Sequence, residues 1–96
     1  MFENGTKKVR VVGGPASFYD NYTTTNLFVL RPFGGNVNTI TVSNDSATDT
    51  VDLSFDGATI AGELLHGESM TLNTGDKMGI YIRGDAGGGG VRTWGW

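Results

Sequence analysis

Residues 50–84 restrict the possible folds of this chain most strongly, because short alternating runs are separated there by turn residues at close spacing. In the first run Val51, Leu53 and Phe55 alternate with polar residues, the period of two that a strand with one buried face requires. An Asp-Gly pair at 56–57 follows as a hairpin turn. Four such runs in about 35 residues leave no room for a helix of ordinary length. The stretch therefore predicts a β-meander.

Turn residues divide the rest of the chain into further runs of strand length. The predicted strands start at, or are centred on, Val9, Leu27, Val37, Val51, Thr59, Ser69, Ile80 and Val91. Residues 26–30 are nearly all apolar, which indicates a central strand covered on both faces. Residues 81–83 and 91–94 predict a hairpin whose tip is the floppy glycine run 87–90.

Seven or eight short strands without a helix predict an all-β fold class: one antiparallel β-sandwich of jelly-roll or immunoglobulin-like type. Periodicity does not encode strand order, so both topologies stay open. The 96 residues, 16 of them glycine, correspond to a single domain over 1–96 with a thin core. A chain of this size buries only about two-thirds of its unfolded surface, so contacts with other chains would add burial.

Two segments of this domain lack a sustained strand or helix period. Residues 1–6 are polar, and residues 16–25 carry three aromatic side chains among short polar ones, which suggests a long loop or an extended arm. Structureless connections of more than about 12 residues are uncommon in compact domains unless they have a binding role. Both segments are therefore predicted to be flexible or to lie at an interface.

Five aromatic residues are candidates for such an interface. They are Phe18, Tyr19 and Tyr22 in the 16–25 segment, and Trp94 and Trp96 near residue 96. Exposed aromatic rings dominate the energetics of many protein interfaces. The alternative interpretation is that the first three cap an open end of the sandwich and that the two tryptophans close the core.

Composition excludes several classes of protein. The chain has no Cys, which excludes a disulfide framework and a thiolate zinc site. The formal net charge of -3 argues against a protein that grips nucleic acid through its phosphates. No apolar run approaches the roughly 20 residues that cross a bilayer, and residues 1–6 lack the order of a signal peptide. We expect no nucleic-acid partner, no membrane partner, and synthesis in a cytoplasm.

Residues that could carry chemistry do not form a recognisable set. His66 is the single histidine and lies in a predicted turn, which makes a metal site with nearby glutamates a poor explanation. The aspartates at 45, 49, 52 and 56 do not match the spacing of a calcium loop. The glycine run leads into a strand, whereas a phosphate-binding loop needs a helix N-terminus. We predict no catalytic, cofactor-binding or metal-binding residue, and a binding or assembly module rather than an enzyme.

The order of several short motifs resembles that of small virion proteins of tailed bacteriophages. The motifs are S-F-D-G at 54–57, G-E-S at 67–69, I-Y-I-R-G at 80–84 and W-x-W at 94–96. The resemblance covers residues 37–96 and is closest to head-decoration or cement proteins. It implies a structural protein of the virion that stabilises the capsid by bridging neighbouring shell subunits.

The same resemblance implies which partners the chain has. These are the major capsid protein or another virion protein, and further copies of the chain in a homo-oligomer. A trimer is favoured, because many proteins of the decoration family sit on local three-fold positions. One alternative is a tail, baseplate or fibre module. The other is a carbohydrate- or receptor-binding sandwich with Trp94, Trp96 and Tyr22 as stacking platforms.

Overall fold

The computed structural model describes residues 17–96, which form eight β-strands and no helix. The strands are β1 (Phe18–Thr23), β2 (Val29–Pro32), β3 (Thr39–Asn44), β4 (Val51–Ser54), β5 (Ile60–Leu64), β6 (Ser69–Asn73), β7 (Gly79–Gly84) and β8 (Gly90–Gly95). The all-β fold class is confirmed for this part of the chain. The 1–6 segment and the strand predicted near Val9 lie outside the described residues.

The strands form two four-stranded antiparallel sheets. Sheet A has the order β1-β8-β3-β6, and sheet B has the order β2-β7-β4-β5. Thus β1 pairs with β8, β2 with β7, β3 with β6, and β4 with β5. Nested pairing of this kind, divided between two sheets, is the jelly-roll topology. The structure therefore decides between the two sandwich types that periodicity left open.

The inward faces of the two sheets share one core. Ile40 and Val42 of sheet A and Leu53 and Ile82 of sheet B are fully buried in it. The predicted alternation is therefore confirmed in β4 and β7, and β3 shows the same alternation of buried and half-buried residues. Phe55 is packed against this core but only half-buried, because β4 ends before it and the ring lies at the start of the β4–β5 loop.

Two predictions about the first strands are wrong. Residues 18–23, predicted as part of a loop or arm, form an edge strand of sheet A in which Phe18, Asp20 and Tyr22 face inward. Because the inward residue Asp20 is acidic, the alternation of inward and outward residues in β1 does not show as an alternation of apolar and polar residues. The predicted central strand is β2, an edge strand of sheet B that includes Pro32 and leaves Leu30 43% exposed. Proline is tolerated there because the open side of an edge strand needs no ladder donor.

The predicted meander and the predicted β7–β8 hairpin are also wrong, although the strands themselves exist. Among consecutive strands from β4 to β8, only β4 and β5 are neighbours in a sheet. The chain then crosses to sheet A for β6, returns to sheet B for β7, and enters sheet A again for β8. Alternation specifies which face of a strand is buried, but it does not specify the partner strand.

The glycine run 87–90 is held in place by hydrogen bonds, contrary to the prediction of a floppy tip. The N–H of Gly87 donates to a carboxylate oxygen of Asp49 at 3.2 Å, and the N–H of Gly88 donates to the carbonyl of Thr24 at 2.7 Å. The φ angles of Gly87 and Gly88 are 84° and 92°, which other residues rarely adopt. The glycines therefore let this loop approach the end of β1 and the loop before β4.

Candidate interaction surfaces

The structure brings two of the predicted interface aromatics together on the outer face of sheet A. Tyr19 of β1 lies directly opposite Trp94 of β8, with ring centroids 5.7 Å apart. Tyr19 is 54% exposed and Trp94 is half-buried. Residues distant in sequence thus form one exposed aromatic pair.

Phe18 and Tyr22 point to the opposite side of β1, into the seam between the two edge strands β1 and β2. Phe18 packs edge-on against Phe33, with centroids 5.4 Å apart. The guanidinium of Arg31 lies 4.3 Å from the centre of the Tyr22 ring. Phe18 and Tyr22 are partly buried against the core, so they contribute to closing the sandwich.

Trp96 continues the pairing of β8 by one residue. Its N–H donates to the carbonyl of Thr39 at 2.9 Å, and its carbonyl accepts from the N–H of Asn38 at 2.6 Å. The indole Nε1 is buried and has no hydrogen-bond partner among residues 17–96. Neither Trp94 nor Trp96 belongs to the buried core of the described residues, which consists of aliphatic side chains and Phe33. An interface role for Trp96 stays a prediction.

The outer face of sheet A is rich in hydroxyl groups. Strand register aligns two rows of side chains across all four of its strands. The first row is Tyr19, Trp94, Thr41 and Thr71, and the second is Asn21, Arg92, Ser43 and Ser69. The hydroxyl oxygens of Thr41 and Thr71 are 2.9 Å apart, within hydrogen-bond distance. We call these eight residues the hydroxyl face.

Arg92, the one charged residue in these two rows, is paired with Asp45, which directly follows β3. Its Nη2 donates to Oδ1 of Asp45 at 3.0 Å, and its guanidinium lies 5.0 Å from the centre of the Trp94 ring. The hydrogen bond from Arg92 lowers the pKa of Asp45, and the same bond raises the pKa of Arg92. Both groups are therefore ionised at neutral pH, and the hydroxyl face carries little net charge.

The outer face of sheet B carries an exposed apolar surface that sequence analysis missed. Leu30 lies opposite Tyr81, Tyr81 opposite Ser54, and Ser54 opposite Ile60, so one row crosses all four strands. Leu30 is 43% exposed and Ile60 is 52% exposed. We name this surface the apolar band; its residues are Leu30, Pro32, Ile60 and Tyr81.

An ion pair between Arg83 and Asp52 borders the apolar band. Arg83 of β7 donates to Asp52 of β4 at 2.7 Å, and its guanidinium lies 4.2 Å from the centre of the Phe28 ring. An apolar centre beside a polar rim is typical of protein contact surfaces. The sequence does contain a signal for this surface, since the large ring of Tyr81 lies between two buried isoleucines and therefore points to the outer face of β7.

The aspartates of the 45–56 series serve separate local structures. Asp49 is buried and accepts the N–H of Ala86 at 2.9 Å, which anchors the loop after β7. Asp56 accepts the N–H groups of Thr59 and Ala58, and these bonds hold the pKa of Asp56 well below its usual range. Within residues 17–96, no three His, Asp or Glu side chains lie close enough to hold a metal ion.

The described residues include no helix that is long and apolar enough to cross a membrane.

His66 is exposed in the turn between β5 and β6.

Comparison with known proteins assigns this chain to no family. No protein-family model and no curated protein sequence matches the chain. Among solved structures, it is similar to a Bacillus endospore appendage protein from a family of disulfide-linked pili, at 14% identity and a TM-score of 0.48. That match covers 95% of this chain and 97% of the other. The strand order and the two outer faces define a small all-β protein of jelly-roll topology.

Proposed function

We propose that this chain is a structural protein of a larger assembly and that it docks through the apolar band. The supporting observation is the row of Leu30, Tyr81, Ser54 and Ile60 across the outer face of sheet B, in which every residue but the buried Ser54 is apolar or aromatic. Exposed apolar surface rimmed by polar groups marks protein contact sites. The paired charge of Arg83 and Asp52 supplies such a rim.

The small free energy expected from burying the apolar band suits a protein that binds a repeating surface in many copies. Full burial of a large aliphatic side chain stabilises by about 1.5–3 kcal/mol. Leu30 and Ile60 are already about half-buried, so docking would add roughly 1 kcal/mol for each. A single contact of this size is weak. Binding of many linked copies to the assembled state alone would stabilise that state strongly.

We further propose that the assembly is the virion of a tailed bacteriophage and that the chain decorates its head. The motif resemblance over residues 37–96 supports this proposal. In this role the protein bridges subunits of the major capsid protein, self-associates as a trimer, is made in the host cytoplasm and catalyses no reaction. A tail, baseplate or fibre module is the second candidate, since the apolar band would serve equally on such a surface.

The experiment adds purified protein separately to undecorated capsids and to tails of the phage that encodes it. Co-sedimentation and the heat resistance of the particles are measured for wild type, Ile60→Lys and Ser69→Lys. Both substituted positions are exposed, on opposite outer faces, so both variants should fold. We expect wild type and Ser69→Lys to bind and stabilise capsids, and Ile60→Lys to bind at least about tenfold more weakly, the effect of about 1.4 kcal/mol.

Each of the other possible results would exclude part or all of the proposal. Binding to tails but not to capsids would exclude head decoration and keep the structural role. Equal binding by Ile60→Lys and wild type would exclude the apolar band as the docking surface. Binding to neither particle would overturn the proposal. Light scattering of the free protein tests the trimer, and Trp96→Ala in the same binding assay tests the interface role predicted for Trp96.

A further inference from the structure

The aromatic pair on the hydroxyl face has the shape of a stacking platform. The ring centroids of Tyr19 and Trp94 lie 5.7 Å apart and the rings are inclined at 50°, so the two rings do not stack face to face. Tyr19 keeps 54% of its surface exposed despite this contact. Exposed aromatic rings offer an apolar face together with a polar edge, which matches ligands that have both kinds of surface.

Hydroxyl groups continue from this platform across the sheet. Thr41 and Thr71 extend the same row, and Ser43 and Ser69 lie side by side in the next row. Thr71 and Ser69 are exposed on β6, the far edge of the sheet. A hydroxyl group both donates and accepts hydrogen bonds, so it can pair with another hydroxyl in either direction. A ligand with many hydroxyl groups would find matching partners along the whole face.

The charge of the face selects against ionic ligands. A phosphate, sulfate or carboxylate ligand requires an available cation, most often an arginine with free donors. Arg92 already donates two hydrogen bonds to Asp45, and its guanidinium is stacked beside Trp94. The other residues of the two rows are neutral. The complementary ligand is therefore uncharged.

We propose that the hydroxyl face binds a neutral glycan chain. Tyr19 and Trp94 stack against the apolar face of a sugar ring, and the hydroxyl groups of Thr71 and Ser69 bond to sugar hydroxyls. The site lies on the opposite side of the sandwich from the apolar band, so both surfaces can be occupied at once. The inference depends on the chemistry of this face and does not depend on the proposed structural role.

The test is native gel electrophoresis of the full chain through gels that contain hydroxyethyl cellulose, laminarin, yeast mannan or the acidic polymer alginate. The variants are Tyr19→Ala, Trp94→Phe and Thr71→Val, and the matched control is Tyr81→Ala on the outer face of sheet B. Thermal unfolding confirms that each is folded. We expect at least one neutral polymer to retard wild type, with about tenfold weaker retardation of Tyr19→Ala, which corresponds to about 1.4 kcal/mol.

The variants separate stacking from a general loss of structure. Trp94→Phe keeps an aromatic ring and should retain partial binding, and Thr71→Val should weaken binding because it removes one hydroxyl at nearly constant volume. Tyr81→Ala should bind like wild type. The proposal is overturned if no neutral polymer retards the protein or if only alginate does. It is equally overturned if Tyr81→Ala loses as much retardation as Tyr19→Ala.

Discussion

Asp20 and Arg31 join the edge strands of two different sheets through two hydrogen bonds, of 2.8 and 2.7 Å. Asp20 lies on the inward side of β1 and Arg31 on the inward side of β2, and their side chains are only 16% and 32% exposed. The hydrogen bond that Arg31 donates to Asp20 raises the pKa of Arg31, so the guanidinium stays charged. A charge at such a position requires a partner. This ion pair therefore allows residues 18–23 to form an edge strand of the sandwich.

Removing the charge of Asp20 should weaken the contact between the edge strands β1 and β2. Asp20→Asn keeps the volume but leaves Arg31 without its carboxylate, which should lower the free energy of unfolding by about 1–3 kcal/mol. Urea unfolding measures the change. The control is Asp76→Asn, because the Asp76 side chain is 97% exposed and its pair with Lys77 spans 3.8 Å. An equal effect of the two substitutions would show that the seam pair does not stabilise the fold.

Gly84 should not tolerate a side chain. A Cβ at this position of β7 would meet the hydroxyl of Thr24 and would lie 2.6 Å from a carboxylate oxygen of Asp49. Gly84→Ala should therefore destabilise by about 1–3 kcal/mol, as overpacking does. Gly35→Ala is the matched control, since nothing lies within 4 Å of a Cβ there. Thermal unfolding of both variants tests this prediction, and a Gly84→Ala protein as stable as Gly35→Ala would contradict it.

The β4–β5 loop should make stability depend on acid pH through Asp56. The N–H of Thr59, then that of Ala58, lowers the pKa of this carboxylate in the folded state. Its contribution to stability is therefore present above the unfolded pKa of about 3.9 and is lost as pH falls through the lower folded pKa. Asp56→Asn does not titrate. We expect its deficit in urea midpoint relative to wild type to shrink between pH 7 and pH 2.

Asp85→Asn changes an exposed aspartate after β7, so its midpoint should stay near that of wild type at both pH values. A deficit of Asp56→Asn that is unchanged from pH 7 to pH 2 would mean that the loop does not depend on the ionised carboxylate.

Leu53 should matter more for stability than Phe55, although both belong to the same alternating run. Leu53 is fully buried, and Leu53→Ala should cost about 2–5 kcal/mol through the cavity that it leaves. Phe55 is half-buried, so Phe55→Ala should cost less than the roughly 3–5 kcal/mol typical of a buried phenylalanine. Guanidinium unfolding of the two variants gives the comparison. A larger loss for Phe55→Ala would place that ring in the core.

The candidate surfaces were partly predictable from sequence. Tyr19 and Trp94 are prominent as aromatics, but only strand pairing shows that they are cross-strand neighbours. The apolar band was missed because Leu30, Ile60 and Tyr81 come from three strands and share a face only through long-range register. Side-chain alternation is a local property, whereas the composition of a sheet face depends on which strands lie side by side.

By itself the sequence determined that this chain is an all-β protein, which residues of most strands face inward, and where most turns fall, since these follow from the period of two and from turn chemistry. The tertiary structure alone decided the jelly-roll strand order, the inward place of Asp20 and the ordered glycine run. Each of these depends on a contact between residues far apart in sequence. For Asp20 the contact is the guanidinium of Arg31, and for the glycine run it is the buried carboxylate of Asp49. No local pattern contains these partners, because they become neighbours only after the two sheets have closed.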